Sequence, residues 1–176
     1  LYYVVSWRDS IFNPSFGYRF THMALASFLT ASFVVAGVTA WFIMQKRELE
    51  ANKKALSISL WLILILAPAQ VMVGDFHGLN TLKHQPMKVA AMEGNWETGT
   101  GVPLLLFALP DQENQQNLFE IKVPKLASFI LTHDWNGEVP GLNEVAPEEQ
   151  PPVFIVFWAF RVMVAMGMLM VLFGLA

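Results

Sequence analysis

The run MALASFLTASFVVAGVTAWFIM at residues 23–44 is 22 residues long and contains no charged side chain. At about 1.5 Å per residue, a helix of this length crosses a hydrocarbon core of about 30 Å. Two more apolar runs follow: Ala55–Val73 carries no charge, and Val153–Ala176 carries only Arg161. Lipid offers the backbone no hydrogen-bond partners, so the three runs predict three membrane-spanning helices.

The composition agrees with a membrane protein. Of 176 residues, 55% are hydrophobic and 14% are charged, whereas soluble domains carry about 25% charge. The net charge of −3 gives no basic surface for nucleic acid, so we expect no nucleic-acid partner. Because cysteine is absent, disulfides and thiolate chemistry are excluded. The chain starts with Leu and stops inside an apolar run, and we expect it to be a piece of a longer polypeptide.

Charge placement predicts the orientation. The connector at 45–54 holds four of the eleven Lys and Arg residues in ten positions. Residues 75–150 hold another four, spread over 76 positions, together with eleven of the fourteen acids. Short loops rich in Lys and Arg stay on the cytoplasmic side of a membrane. The connector is therefore expected to face the cytoplasm, and the long acidic segment the outside.

These patterns predict an all-α integral membrane protein, with three transmembrane helices of a larger bundle and a long outer loop containing short helices. The expected divisions are an outer amphipathic lead-in at 1–16, a span at 17–44, a cytoplasmic connector at 45–54, a span at 55–74, the outer loop at 75–152 and a span at 153–176. Within the loop we expect a short helix over Pro86–Trp96, weakened by Gly94 towards its end. Residues 119–135 (FEIKVPKLASFILTHDW) are amphipathic.

His22 lies at the outer end of the first run. Imidazole is a common axial ligand of haem iron, but an interfacial, hydrogen-bonded histidine is an equally open interpretation. The other histidines all lie in the outer segment, so a second intramembrane ligand would be a methionine. The third run contains Met163, Met166, Met168 and Met170. Their spacing selects none of them, and methionine more often fills a core.

Arg161 lies nine residues beyond Pro152, hence about 13 Å along a helix. An arginine at the centre of a membrane costs about 2.5–3.5 kcal/mol on insertion scales. It therefore needs an anion, either a carboxylate from another helix or the acid group of a ligand such as a haem propionate. A structural ion pair with a helix outside this sequence is the alternative.

Arg161 also allows two other functions. In a fragment of a secondary transporter, it would be the site of an anionic substrate, and the outer loop would be a gate. Transporters of this kind show internal repeats or paired broken helices, whereas here only Pro68 interrupts the second run and no repeat is visible. A non-catalytic assembly subunit is a further alternative.

Lys88, Glu93 and Glu97 follow the second run in the stretch KVAAMEGNWE. In a continuous helix, Glu93 and Glu97 would share a face, and Lys88 would lie about 140° away from Glu93. A carboxylate close to a phenolic hydroxyl can act as its general base. Polar groups at a membrane surface can also bind a headgroup whose tail stays in lipid. The alternative is a helix exposed to solvent in an ordinary loop.

His77 and His84 belong to the same outer stretch. A metal site formed by these histidines and a nearby acid is conceivable. We expect Gly78 and Pro86 to spoil a regular helical face over this distance, which disfavours such a site. Their roles stay open.

Three blocks of sequence resemble a known family. They are GDFHGLNTLKHQPMKVAAMEGNWET at 74–98, FALPDQ at 107–112 and FWAFRVMVAMG at 157–167. In this order they resemble subunit I of the cytochrome bd-type quinol oxidases. The segments HGLNT and HQPMKVAAMEG resemble the sequences of the branch often called cyanide-insensitive. The resemblance covers essentially the whole chain, as the central part of a subunit more than twice as long.

The resemblance implies roles for individual residues. His22 in RFTHMA and Met163 in FRVMVA match the axial ligands of the family's low-spin haem b. Arg161 matches an arginine thought to stabilise the reduced haem. The outer segment matches the Q loop, where quinol is bound and oxidised. In it, Lys88 and Glu93 match the catalytic lysine and glutamate, and Gln85 is a supporting polar residue.

The resemblance also implies a quinol:oxygen oxidoreductase of the respiratory chain in the bacterial inner membrane. Ubiquinol or menaquinol would be oxidised at the outer face, and electrons would pass through the low-spin haem b to oxygen-reducing haems, contributing to the proton gradient. A high-spin haem b and a haem d are expected in the full subunit, with ligands outside this sequence, so the fragment alone is expected to be inactive. Expected partners are the rest of subunit I, subunit II and lipid. The long Q-loop insertion of some members is absent.

Overall fold

The computed structural model describes residues 6–175. Its α-helices are α1 (Trp7–Ile11), α2 (Phe16–Met44), α3 (Leu49–His84), α4 (Pro86–Glu93), α5 (Leu126–Thr132) and α6 (Val153–Leu175). Its strands are β1 (Gly99–Thr100), β2 (Leu104–Asp111), β3 (Gln116–Val123) and β4 (Glu138–Val139). The helices α2, α3 and α6 are long and apolar enough to cross a membrane. The mostly helical membrane fold with three spans is therefore confirmed.

The second span is longer than its uncharged run. α3 begins at Leu49 and continues to His84, whereas we expected a helix over 55–74 followed by a loop. Pro68 lies inside α3 without ending it, as is tolerated in membrane helices. Gly78 does not interrupt the helix either, so the expectation that it would spoil a helical face between His77 and His84 was wrong.

The N-terminal lead-in is described from residue 6 onwards. Ser6 caps α1, because its hydroxyl accepts a hydrogen bond from the Asp9 backbone N–H at 3.3 Å. Residues 1–5 of the predicted lead-in and residue 176 of the predicted third span lie outside the described residues.

The chain divides into two compact units, residues 1–77 with 166–176 and residues 78–165. In the first, two buried hydroxyls of α2 and α3 form hydrogen bonds within their own helix. The hydroxyl of Ser32 donates to the Phe28 carbonyl at 2.8 Å, and that of Ser59 donates to the Ala55 carbonyl at 2.9 Å. Such bonds inside one helix allow hydroxyls to be buried where lipid offers no partner.

The second unit contains most of the segment expected to be an outer loop, and its strands were not predicted. β2 and β3 form an antiparallel two-stranded sheet, and β1 pairs with β4 antiparallel. The residues expected to be one amphipathic segment, 119–135, are divided between β3 and α5. In the β2–β3 turn, the Asp111 carboxylate accepts hydrogen bonds from Asn114 Nδ2 at 2.7 Å and from two backbone N–H groups. These bonds, that of the Asn114 side chain above all, hold the pKa of Asp111 below its ordinary value.

Candidate functional site

The helix α4 sets the positions of Lys88 and Glu93. Its first residue is Pro86, whose missing N–H would have no partner in the first turn. It ends at Gly94, which has φ +69° and whose N–H bonds to the Ala90 and Ala91 carbonyls. A Cβ at Gly94 would also lie 3.2 Å from Phe157 Cδ2, so a residue without a side chain is required there for two reasons.

Glu93 is buried and paired with Arg161. One Arg161 Nη lies 2.7 Å from Glu93 Oε2, and the two side chains are 10% and 9% exposed. Arg161 Nε donates to the Leu105 carbonyl at 2.6 Å. Among the alternatives for Arg161, the structure therefore has a carboxylate from another helix, and that helix, α4, belongs to this chain.

Aromatic rings complete the surroundings of the guanidinium. Its carbon lies 4.7 Å from the centre of the Phe157 ring and 5.5 Å from that of Phe160. Cation–π attraction of this kind strengthens when the cation is desolvated. The two hydrogen bonds to Glu93 and Leu105 use part of the five N–H donors of the guanidinium, so donors remain for a second anion.

Lys88 lies apart from this ion pair. Its side chain is exposed, as is that of Gln85 at the N-cap position of α4. Five positions in a helix place Lys88 about 140° from Glu93, and the buried side of α4 consists of Val89, Ala90, Ala91 and Glu93. The helix ends at Glu93, so Glu97 lies outside it and is exposed. The shared face expected for Glu93 and Glu97 is therefore not formed.

Side-chain amides hold the backbone that follows Glu93. Asn117 Nδ2 donates to the Gly94 carbonyl at 2.9 Å, and Trp96 Nε1 donates to Asn117 Oδ1 at 3.0 Å. Asn95 Nδ2 donates to the Pro140 carbonyl at 2.9 Å. These bonds connect the end of α4 to β3 and to the segment after β4, and so fix the backbone beside the ion pair.

In the first unit, His22 on α2 faces α3. Its Nε2 lies 3.1 Å from Gln70 Nε2, and its buried Nδ1 has no hydrogen-bond partner among residues 6–175. A Cβ at Gly74 would lie 3.2 Å from His22 Cε1. An imidazole can bind haem iron, and the orphaned Nδ1 shows that the hydrogen bonding of this ring is incomplete among the described residues.

Met163 follows Arg161 by two positions on α6, and its side chain is 52% exposed. A thioether on a membrane helix is a suitable ligand for haem iron. His22 and Met163 belong to different units.

The remaining histidines do not form a metal cluster. The His77 ring centroid lies 5.9 Å from that of His22, and His84 Nδ1 is 2.8 Å from the Asn80 carbonyl. Within residues 6–175, no group of three or more His or carboxylate side chains is suited to a metal ion. A haem iron held by one His and one Met would not form such a group.

Two contacts of the site were not predicted from sequence. They are the amide of Gln70 against His22 and the Leu105 carbonyl against Arg161. For Gln70 a signal existed, because it is the only amide in the uncharged run Ala55–Val73 and polar side chains in membrane spans are often functional. The sequence contained no signal for Leu105, because the contact uses its backbone carbonyl, which every residue has.

Comparisons with a family model and with known proteins all point to the same family. The family model described as "Cytochrome bd terminal oxidase subunit I" matches residues 1–176. The chain is similar to cytochrome bd ubiquinol oxidase subunit 1 of Bacillus subtilis (strain 168), with 31% identity over 175 residues, covering 94% of this chain and 37% of the relative. It is also similar to cytochrome bd-II ubiquinol oxidase subunit 1 of Escherichia coli (strain K12), with 28% identity over 149 residues. This match covers 84% of this chain and 29% of the relative.

Among solved structures, the chain is similar to a bd oxidase from Geobacillus thermodenitrificans. The TM-score is 0.85 at 30% sequence identity, and the match covers 95% of this chain and 38% of that one. The chain thus spans less than two fifths of the length of the relatives it matches.

Proposed function

We propose that this chain, which belongs to the cytochrome bd terminal oxidase subunit I family, forms the quinol-oxidising part of a respiratory terminal oxidase. The observation that carries this proposal is the buried pair between Glu93, in the segment that resembles the Q loop, and Arg161 of α6. Ubiquinol or menaquinol is the substrate. The rest of subunit I and subunit II are the protein partners, in a bacterial inner membrane. A high-spin haem b and a haem d would be held by parts of the subunit outside this sequence.

His22 and Met163 would hold a low-spin haem b through the imidazole and the thioether. When bound, the haem supplies a one-electron acceptor, and thioether ligation raises its reduction potential. His22 would contribute its imidazole, whose ring contacts Gln70 of α3. Arg161 contributes the donors that Glu93 and Leu105 leave unused, which suit a propionate.

Lys88 and Glu93 have separate proposed roles in quinol oxidation. Oxidising a quinol to a quinone releases two protons and two electrons, so a base beside the phenolic hydroxyl is needed. Glu93 supplies a carboxylate whose Oε2 is oriented by Arg161. Lys88 is exposed and can donate a charge-assisted hydrogen bond to a headgroup oxygen. We therefore assign proton acceptance to Glu93 and docking to Lys88, with Gln85 as a supporting donor or acceptor.

The charge distribution supports an outward Q loop. The acids of residues 75–150 and the basic connector at 45–54 favour opposite sides of the membrane. Protons released from quinol on the outer side would add to the proton gradient. The transporter alternative is disfavoured, because the chain belongs to the cytochrome bd terminal oxidase subunit I family.

Lys88→Gln in the full-length oxidase is expected to raise the KM for quinol about tenfold, which corresponds to about 1.4 kcal/mol of lost binding. The reason is the loss of a charge-assisted hydrogen bond to the headgroup. The measurement is the rate of oxygen consumption against quinol concentration. Lys83→Gln is the matched control, because Lys83 is also exposed at the end of α3 and its replacement removes the same charge. Equal KM values for the two variants would contradict the docking role.

A further inference from the structure

The β2–β3 hairpin runs beside the first two turns of α6, a helix long and apolar enough to cross a membrane. In the turn of the hairpin, Gln112 Oε1 accepts a hydrogen bond from the Val153 backbone N–H at 3.1 Å. Further along β2, the Leu105 carbonyl accepts one from Arg161 Nε at 2.6 Å. From Val153 to Arg161 the helix rises by about 12 Å. The hairpin therefore lies level with the start of a membrane-spanning helix.

The second edge of the hairpin needs water. Among residues 6–175, β3 pairs only with β2, so the backbone groups along its other edge have no strand to pair with. Open strand edges exposed to lipid do not occur within the hydrocarbon core of a membrane. The headgroup layer contains water, so it is the depth that suits an open edge beside α6.

Apolar side chains accumulate on the surface of β3, α5 and the residues just after α5. The six large apolar residues exposed between positions 119 and 135 are called the apolar surface: Phe119, Ile121, Val123, Phe129, Ile130 and Trp135. The rings of Phe129 and Trp135 stack with centroids 4.3 Å apart. The other side of α5 holds the buried residues Ala127 and Leu131. α5 is thus apolar on both sides, whereas a helix between a core and water has one polar face.

Phe119 is held outwards in an unfavourable backbone conformation. Its φ of +53° lies in a region that bulky residues rarely adopt, and its side chain is 76% exposed. A register shift in the β2–β3 pairing forms a bulge at this point, and bulges re-aim side chains. Burial within residues 6–175 does not compensate for this strain, because the ring is mostly exposed.

The charge of the same segment is balanced. Residues 118–135 contain two lysines, Lys122 and Lys125, and two acids, Glu120 and Asp134. Most acids of residues 75–150 lie outside this segment. Lysine stems can lie along apolar material while the ammonium groups stay in the headgroup layer. The segment therefore suits contact with lipid through apolar burial and not through electrostatic attraction.

We propose that the apolar surface lies in the membrane interface, where headgroups and acyl chains meet in the leaflet on the side of the loop. Tryptophan favours this layer, and apolar faces that lie in the plane of the interface reach about 5–10 Å into it. The occupant is phospholipid, because the hairpin is fixed beside the start of a membrane helix and its open edge needs a hydrated layer. The loop is then seated on the bilayer. This proposal does not depend on the quinol chemistry or on the haem ligands.

The test uses the full-length oxidase in nanodiscs of phosphatidylcholine that contain a phospholipid with a benzophenone in the upper part of one acyl chain. After irradiation, mass spectrometry locates the lipid adducts. We expect adducts on residues 118–135 and none above background on the exposed acidic segment 143–149. If residues 118–135 carry no adduct while the oxidase is labelled elsewhere, protein or water covers the apolar surface, and the proposal is overturned.

A second lipid composition and a pair of variants identify what holds the segment. Replacing part of the phosphatidylcholine by phosphatidylglycerol should leave the labelling of residues 118–135 unchanged; labelling that requires the anionic lipid would overturn the proposal. Phe119→Asp with Trp135→Asp should lower the labelling, because charged side chains oppose insertion. Gln115→Asp, which adds a charge in the exposed hairpin turn, should retain it. Labelling of the double variant equal to that of Gln115→Asp would contradict a role of the apolar surface. The wild-type measurement needs no variant and decides by itself if the double variant does not fold.

Discussion

Arg161→Gln is expected to destabilise the full-length oxidase by about 3–5 kcal/mol, because it leaves the Glu93 carboxylate buried without its cation. The pair is 2.7 Å apart with both side chains about nine-tenths buried, so solvent cannot replace the missing partner. Glu93→Gln should have an effect of similar size, since it strands the guanidinium. The measurement is the midpoint of thermal unfolding in detergent, followed by the loss of the far-ultraviolet circular dichroism of the helices.

The double variant and an exposed pair give this prediction its controls. Arg161→Gln with Glu93→Gln removes both buried charges, so its destabilisation should be well below the sum of the single effects. Glu120→Gln breaks the Lys122–Glu120 pair in the same loop, whose side chains are 51% and 29% exposed. Exposed pairs contribute about 0–1 kcal/mol, and this variant should remain close to wild type. Additive single effects, or an Arg161 effect no larger than that of Glu120→Gln, would contradict the structural role of the pair.

Glu93→Gln is also expected to slow quinol oxidation by about 10²–10⁴-fold, the usual contribution of a positioned general base. The amide keeps the shape of the carboxylate but cannot accept the phenolic proton. Oxygen reduction driven by an artificial electron donor should continue, because it does not need the quinol base. Rates are compared per low-spin haem, so that loss of folded protein does not count as loss of catalysis.

Glu97→Gln is the matched control for Glu93. Glu97 lies four positions further on, outside α4 and exposed to solvent, and its replacement removes the same charge. Quinol turnover in Glu97→Gln should equal that of wild type. If Glu93→Gln also oxidises quinol at the wild-type rate per haem, Glu93 is not the base.

The spans could be predicted because their signal is local. A run of about twenty apolar residues has few alternatives to a membrane helix. The end of α3 was missed because the charges after Val73 mark where a chain leaves lipid, whereas a helix can continue in water. Glycine weakens a helix by about 1 kcal/mol relative to alanine. This cost does not end α3 at Gly78, and the helix continues to His84.

The β2–β3 sheet has a weak signal in the sequence. Register shifts between Leu105 and Phe107 and between Phe107 and Leu109 break the alternation of apolar and polar residues that identifies a strand. Seven of the eight residues of β3 are exposed, so no buried face marks it.

The partners within the site depend on contacts distant in sequence. The need of Arg161 for an anion follows from the cost of an arginine in lipid. Its partner, Glu93, lies 68 positions away, and Gln70 lies 48 positions from His22. Nothing in the local pattern selects such pairs. Their identification required the fold.

The central claim is that this chain supplies both axial ligands of the haem that receives electrons from quinol. The most direct test is a reduced-minus-oxidised optical spectrum of the full-length oxidase carrying His22→Ala or Met163→Leu, beside Met166→Leu as a control on the same helix. We predict that the low-spin haem b signal disappears in His22→Ala and is lost or strongly shifted in Met163→Leu, while Met166→Leu retains it. An intact low-spin signal in both ligand variants would contradict the account.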